Sequence, residues 1–349
     1  MFERKTLFVV GAGASSELDM PMGGALANII GDKLQPQGTD VRASLGDAHL
    51  TRAINLLANN SDERGARFFK AAQLISRAMP QTISIDNFLH AHADNEILIQ
   101  TGKLAIAASI LEAERTTKLY VGRDTDQVSF RAVPDTWHRT FCKMLCEGAQ
   151  RTDLDHLFEN VSIITFNYDR CIEHYLVQQL AVYFDLTWQR ARDLTNKLTI
   201  IHPYGQVGKL DWQDSPMVSV DFGQQPPAQD LPAVAAQIRT FTERVDDADA
   251  MDTIYYLINE AKIIVYLGFS YGDMNMELMT TPGHAAPKQI LGTSYGISVP
   301  NADVIKHAIA DSMGENVLPE HALLVNCKSN QLLYDYWRPI LKGRRGSGR

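Results

Sequence analysis

Near the start of the chain an apolar, β-branched run, Thr6-Leu7-Phe8-Val9-Val10, stops at Gly11-Ala12-Gly13-Ala14-Ser15-Ser16. A short run closed by glycine reads as a strand buried on both faces. The residues that follow, from Gly24 to Leu34, have helical character. This strand, turn and helix constrain the fold more than any other segment. In such a unit the first glycine permits the tight turn and the second lets backbone approach a ligand. The helix then offers free N–H groups and the positive end of its dipole. A third glycine would complete the dinucleotide fingerprint, but Ser16 stands in that place. Read alone, the turn fits a nucleotide site and a plain glycine-rich connection equally well.

Runs of the same kind return later. "VSIITF" (161–166), "LTIIH" (198–202), "KIIVYLG" (262–268) and "HALLVN" (321–326) are continuous, apolar and β-branched, as suits strands of a parallel sheet. Helical stretches such as "RCIEHYLVQQLAVYF" and "MDTIYYLINEA" lie between them, so βαβ units are expected. From about 41 to 155 the apolar spacing is instead of the 3.6 type, as in "ARFFKAAQLISRAM" and "KLAIAASILEAERTTKLYV". The expected organisation is a discontinuous α/β domain, 1–40 with 156–349, carrying a mainly parallel Rossmann-like sheet. The helical subdomain 41–155 is inserted into it. The segment 211–232 is rich in Pro, Gly, Gln and Asp and reads as a long loop of the kind that forms lids or partner contacts.

Bulk properties narrow the function. A chain of 349 residues with 45% hydrophobic content can bury a sizeable core. The net charge of −8 argues against a general nucleic-acid surface. "MFERKTLFVV" has no signal-peptide core and no apolar run reaches the roughly 18 residues of a membrane span, so no membrane association is expected. The four cysteines form no CxxC pair, so no zinc ribbon is expected, and a reducing cytoplasm is. Cys142 and Cys146 would share a helix face as small core residues. His90 and His92, two apart, would face different ways on a helix and make no metal pair. His156 and His174 read as ordinary structural or surface residues. "ERVDDADAMD" (243–252) reads as a solvated acidic loop and helix start, and the basic tail "KGRRGSGR" (342–349) as a disordered end.

Four strands end in polar or glycine residues: Asn167-Tyr168-Asp169 after the second, His202 after the third, Gly268, Ser270 and Asp273 after the fourth, and Asn326 after the last. In open α/β sheets the carboxyl edge is where ligands sit. The ordered set "GAGAS", "NYD", strand-terminal His, "GFS" and strand-terminal "VN" resembles the sirtuin-type NAD-binding domain, in outline over most of the chain. The resemblance implies that Gly11, Ala12, Gly13 and Ser15 cradle the NAD pyrophosphate. It places Asn167 and Asp169 beside the nicotinamide and its ribose, and gives His202 the role of catalytic histidine. It puts Gly268 and Ser270 near the phosphates and adenosine, and Asn326 near the adenosine ribose.

The departures from that family are as informative. The zinc module of protein-deacylating sirtuins is absent, and the helical block stands in its place. The "GIPDFR" segment of those enzymes is here "DMPMGG", with Pro21 kept. The combination is similar to the sirtuin-like proteins of bacterial anti-phage defence, which hydrolyse NAD. "SIDNFL" (84–89) is similar to a segment common in that group, with Asp86 either directed into the cleft or, like Ser84, capping a helix.

The implied activity is NAD glycohydrolysis, with NAD as substrate and no zinc. Loss of nicotinamide leaves positive charge on the ribose C1′, as in glycoside hydrolysis. The Asn167 amide suits orientation of a water, and His202 suits a base near neutral pH. Asp169 would hold the ribose or carboxamide, or cap the helix that follows. A toxic NAD hydrolase needs restraint, which implies control by homo-oligomer assembly or a separately encoded partner such as an ATPase. The competing readings are a non-catalytic sensor of NAD or ADP-ribose and an NAD-dependent protein deacylase or ADP-ribosyltransferase.

Overall fold

A computed structural model describes residues 1–38, 44–59, 61–122, 127–245, 247–283 and 285–343. Six strands form one all-parallel sheet: β1 (Thr6–Val10), β2 (Val161–Thr165), β3 (Thr199–Ile201), β4 (Ile263–Leu267), β5 (Gln289–Thr293) and β6 (Ala322–Val325). Their spatial order is β3-β2-β1-β4-β5-β6, the order of a Rossmann-type sheet. Thr6 of β1 is paired with Val161 of β2 on one side and with Ile263 of β4 on the other. Every residue of β1 and β4 is buried, as the continuous apolar runs require of strands covered on both faces.

β5 is the one strand of this sheet that the apolar runs do not predict. Its sequence, Gln289-Ile-Leu-Gly-Thr293, is broken by Gly292. The glycine is there for packing, because a Cβ at that position would lie 2.4 Å from the Tyr271 hydroxyl and 2.8 Å from Leu324. The space an apolar side chain would fill is already taken by the neighbouring turn.

The long crossover from β1 to β2 carries the helical block. Its main helix, Glu96–Thr116, is buried on nearly every side and packs against helices Asp62–Ala78, Gly23–Lys33 and Leu231–Ala235. An antiparallel ladder of Pro36–Gln37 with Ser44–Leu45 leads into the block. Residues 41–43, at its expected start, lie outside the described residues, as do 246 and 344–349 of the acidic run and the basic tail. Helix starts follow the capping rule. Asp47, Ser61, Ser84, Asn95, Thr136, Thr187, Asp247 and Ser298 each accept a first-turn N–H. Glu17 accepts from two such regions at once, the N–H of Trp137 (2.6 Å) and that of Asn330 (2.9 Å). One carboxylate thereby ties the first turn of the chain to helices Trp137–Cys146 and Ser329–Asp335.

The apolar core is continuous from sheet to helical block. Leu18, Ile54, Phe68, Ile106, Phe141, Ile164 and Val265 belong to one buried cluster. Cys142 and Cys146 do share the buried face of helix Trp137–Cys146, and burial pushes the Cys146 thiol up to about 11. The acidic run is more than solvated charge. The half-exposed Glu243 pairs with the buried Lys103 (2.6 Å), and Arg244 donates to the carbonyls of Pro203 and His202. The long loop is packed as well: Val220 and Phe222 are buried, and Lys209 bridges to Ser219. Among the described residues no helix is long and apolar enough to cross a membrane.

Candidate active site at the switch point of the sheet

The strand order reverses between β1 and β4, and the carboxyl ends of these strands meet there. The two turns interlock through glycine. Gly268 has φ +55°, and a Cβ on it would lie 1.9 Å from the Ala14 nitrogen. A Cβ on Gly11 or Gly13 would lie 2.6 or 2.8 Å from the Gly268 carbonyl oxygen. The Gly11 N–H donates to Leu267, the Gly13 N–H to Gly268 (3.0 Å) and the Ala14 N–H to Gly11. The turn expected to present amides to a ligand therefore donates these three to protein carbonyls. Ala12, half-buried, opens the single helical turn Ala12–Ser15, and the Gly268 N–H is held by the Thr293 hydroxyl (2.8 Å).

Asn167 is the centre of the cluster. It follows β2, is buried, and its Nδ2 donates to Ser15 Oγ (2.8 Å) and to the Gly11 carbonyl (3.3 Å). A carbonyl oxygen can only accept, which fixes which end of the amide is nitrogen. The other end, Oδ1, is buried with no hydrogen-bond partner. A buried acceptor of this kind costs about 1–3 kcal/mol unless something donates to it.

Asp169 is also buried and accepts the N–H of Cys171 (3.1 Å), the first residue of helix Cys171–Tyr183, from one position ahead of Arg170 at the N-cap. Burial pushes its carboxyl above the ordinary range, against the pull of Cys171 and Ser15. Asn167 thus reaches Ser15, which ties the first turn to the end of β2.

His202 lies just past β3. Its Nδ1 is 3.0 Å from the Asn167 carbonyl and its Nε2 is 3.0 Å from Glu173 Oε1. Both acceptors are satisfied when the ring carries both protons. Burial pushes the Glu173 carboxyl up, but the charge and hydrogen bond of His202 outweigh that and hold it below the usual range. The second carboxylate oxygen, Oε2, is buried without a partner. Glu173 was not foreseen. The available signal was a lone acid in the apolar helix "CIEHYLVQQL", since a carboxylate there stays buried only with a partner.

The neighbouring segment is pinned equally firmly. Arg170, fully buried, pairs with Glu114 of helix Glu96–Thr116 (2.5 Å) and donates to the carbonyls of Gly208, Val220 and Asp221. Glu114 also accepts the Gly223 N–H (3.2 Å). Tyr168 turns toward the helical block and donates to Asp86, while Ser84 caps that helix by accepting the Asn87 N–H. Asp86 is thus the residue of "SIDNFL" that reaches the site, and Ser84 is the cap.

Ser270 is exposed and accepts from Asn275 (3.4 Å), whose oxygen accepts from Tyr204 (2.8 Å). The Tyr204 ring lies against Phe166, 5.8 Å between centroids, so Ser270 is joined to the cluster at one remove. Asn326 stands apart at the exposed end of β6 and accepts from Gly296 (3.3 Å). His90 and His92 go to different partners, Thr242 and the Phe88 carbonyl. His156 pairs with Glu159 at the surface and His174 stacks on Phe222. Among the described residues no group of three or more His, Cys, Asp or Glu is placed to hold a metal ion.

A cavity of about 1100 Å3 opens at the opposite, amino-terminal edge of the sheet, lined by Lys5, Lys262 and Lys288 among others. Size does not make it the reactive site. Lys5 is paired with Glu260, and Lys288 caps the end of helix Ala248–Glu260 by donating to the carbonyls of Ile258 and Ala261. The convergent buried polar groups are at the carboxyl edge. Fold and site together define an α/β protein with a Rossmann-type sheet and a closed Asn–His–Glu cluster at its switch point. No protein-family profile matches the chain, and no curated protein matches it significantly.

Proposed function

We propose that the chain is a sirtuin-like NAD glycohydrolase, releasing nicotinamide and ADP-ribose, and that it serves as an anti-phage effector. The observation that carries the reading is the unpaired Oδ1 of Asn167. It is a buried acceptor, fixed in orientation by Ser15 and Gly11, at the switch point where dinucleotides cross such sheets. A water or a ribose hydroxyl would satisfy it. In the reaction the C1′–N bond breaks and its electron pair leaves with neutral nicotinamide. A water oxygen then bonds to C1′ and loses its proton. Asn167 would hold that water, and the buried Asp169 carboxyl, two residues further on, would face the ribose. Gly268, Ser270 and Asn326 lie along the same edge toward β6, on the side where the adenosine half would extend.

With both ring nitrogens engaged, His202 acts on the Asn167 backbone. It becomes a base for substrate only if Nε2 leaves Glu173. The burial of the cluster and this engagement support a gated enzyme, held closed until a homo-oligomer or a partner such as an ATPase opens it. They also favour a second reading, a sensor that binds NAD without cleaving it.

The test is incubation of the chain with NAD, with nicotinamide and ADP-ribose quantified and binding followed by calorimetry. Asn167→Ala and His202→Ala are expected to lower release by about 100-fold or more. Binding without release, alone and with candidate partners, selects the sensor. Neither binding nor release overturns both readings.

A further inference from the structure

We propose that the chain carries a second small-molecule site, separate from the switch point, which takes a neutral nucleobase or nucleoside. A cavity of about 550 Å3 lies between helices Cys171–Tyr183 and Trp188–Thr195 and the segment from Leu210 to Gln224. That volume falls in the range of roughly 300–1000 Å3 usual for ligand pockets. Half of its apolar lining is aromatic, beside Val121, Val177 and Leu210. Trp188 and Trp212 face it, and Phe222 joins them, its ring stacked at 4.0 Å and 4° on His174. Flat rings around a cavity favour a flat ligand, because stacking is available to any base.

The polar lining sets the charge. Arg192 lines the cavity, and its Nε is a buried donor with no hydrogen-bond partner. Its guanidinium leans toward Asp211 at 3.7 Å, beyond hydrogen-bond length. Asp221 is the second carboxylate on the wall. Among the described residues, one guanidinium against two carboxylates repels a phosphate chain but suits a base, whose ring acceptors can take a donor from the terminal nitrogens of the guanidinium and whose amino group can donate to a carboxylate. The wall is also rigid. Arg170 holds the Val220 and Asp221 carbonyls from behind, which fixes that side of the cavity before a ligand enters.

The experiment is titration of the full chain with adenosine, guanosine, cytidine and uridine to about 1 mM, read by tryptophan fluorescence. Only Trp188 and Trp212 of the four tryptophans line the cavity. Saturable quenching by at least one nucleoside is expected. Asn167→Ala is expected to retain it, and Arg192→Ala, checked for folding by circular dichroism, to weaken it at least about tenfold. The corresponding 5′-monophosphate is expected to bind more weakly than the nucleoside at low salt. Four findings would each overturn the proposal: no quenching by any nucleoside, unchanged affinity in Arg192→Ala, loss in Asn167→Ala, or tighter binding of the monophosphate. Because NAD cleavage is not the readout, the result stands apart from the proposed activity.

Discussion

At the scale of single residues, the site is built from side chains that the low-dielectric interior forces to find partners. Asp86 shows how that works. Burial pushes its carboxyl above the ordinary range, and the Tyr168 hydrogen bond pulls against that shift without cancelling it. A carboxyl whose folded pKa exceeds its unfolded value of about 3.9 binds protons more readily in the native state. Native stability therefore gains as pH falls through the folded pKa, and the gain is complete below the unfolded one. Asp86→Asn keeps an acceptor for Tyr168 and removes the charge. The variant is expected to be at least as stable as the parent at pH 8, with its relative advantage shrinking by pH 4.5. Urea unfolding at the two pH values measures the difference, and an equal advantage at both would refute the assignment. The glycines tell a similar story of constraint. Gly11, Gly13 and Gly268 look like a ligand cradle in sequence, yet each is required first by the approach of the two turns to one another.

At the scale of elements, the buried Arg170–Glu114 pair does more than neutralise itself. It fastens helix Glu96–Thr116, the segment Gly208–Gly223 and the residue next to Asp169 at one point. Removing one partner leaves an uncompensated buried charge, which costs about 3–5 kcal/mol. Arg170→Met is expected to lose that much stability by urea unfolding and to expose the segment Lys209–Gln224 to limited proteolysis. Arg170→Met with Glu114→Leu is expected to recover part of the stability, because no charge is then stranded, but not the protease resistance. Full resistance in the single variant would show that the loop is held by its apolar contacts instead. The loop was legible as long and unusual from its Pro, Gly and Gln content. Its anchoring was not, because Arg170 and Glu114 are 56 positions apart and each reads as an ordinary helical charge.

At the scale of the whole molecule, the helical block is an insertion in sequence but shares its core with the sheet. Leu18, Phe68, Ile106 and Val265 sit in one buried cluster. The expected consequence is a single cooperative thermal transition, with calorimetric and van't Hoff enthalpies in agreement. Two resolved transitions would mean that the block unfolds by itself.

Sequence by itself determined the parallel sheet, because β1, β2 and β4 are buried on both faces and cannot hide that in their composition. It also determined which residues stand at the carboxyl edge, since a strand fixes the position of whatever follows it. Asn167, Asp169, His202 and Gly268 were legible for that reason, whereas Asp86 was left open between the cleft and a helix cap. Only the tertiary structure decided what those residues touch. Glu173 on His202, Ser15 on Asn167 and Glu114 on Arg170 are contacts between elements far apart in the chain, and local spacing carries no record of them. β5 was hidden for the same reason: Gly292 answers to Tyr271 and Leu324 across the fold, and the demand of a distant neighbour overrode the local apolar pattern.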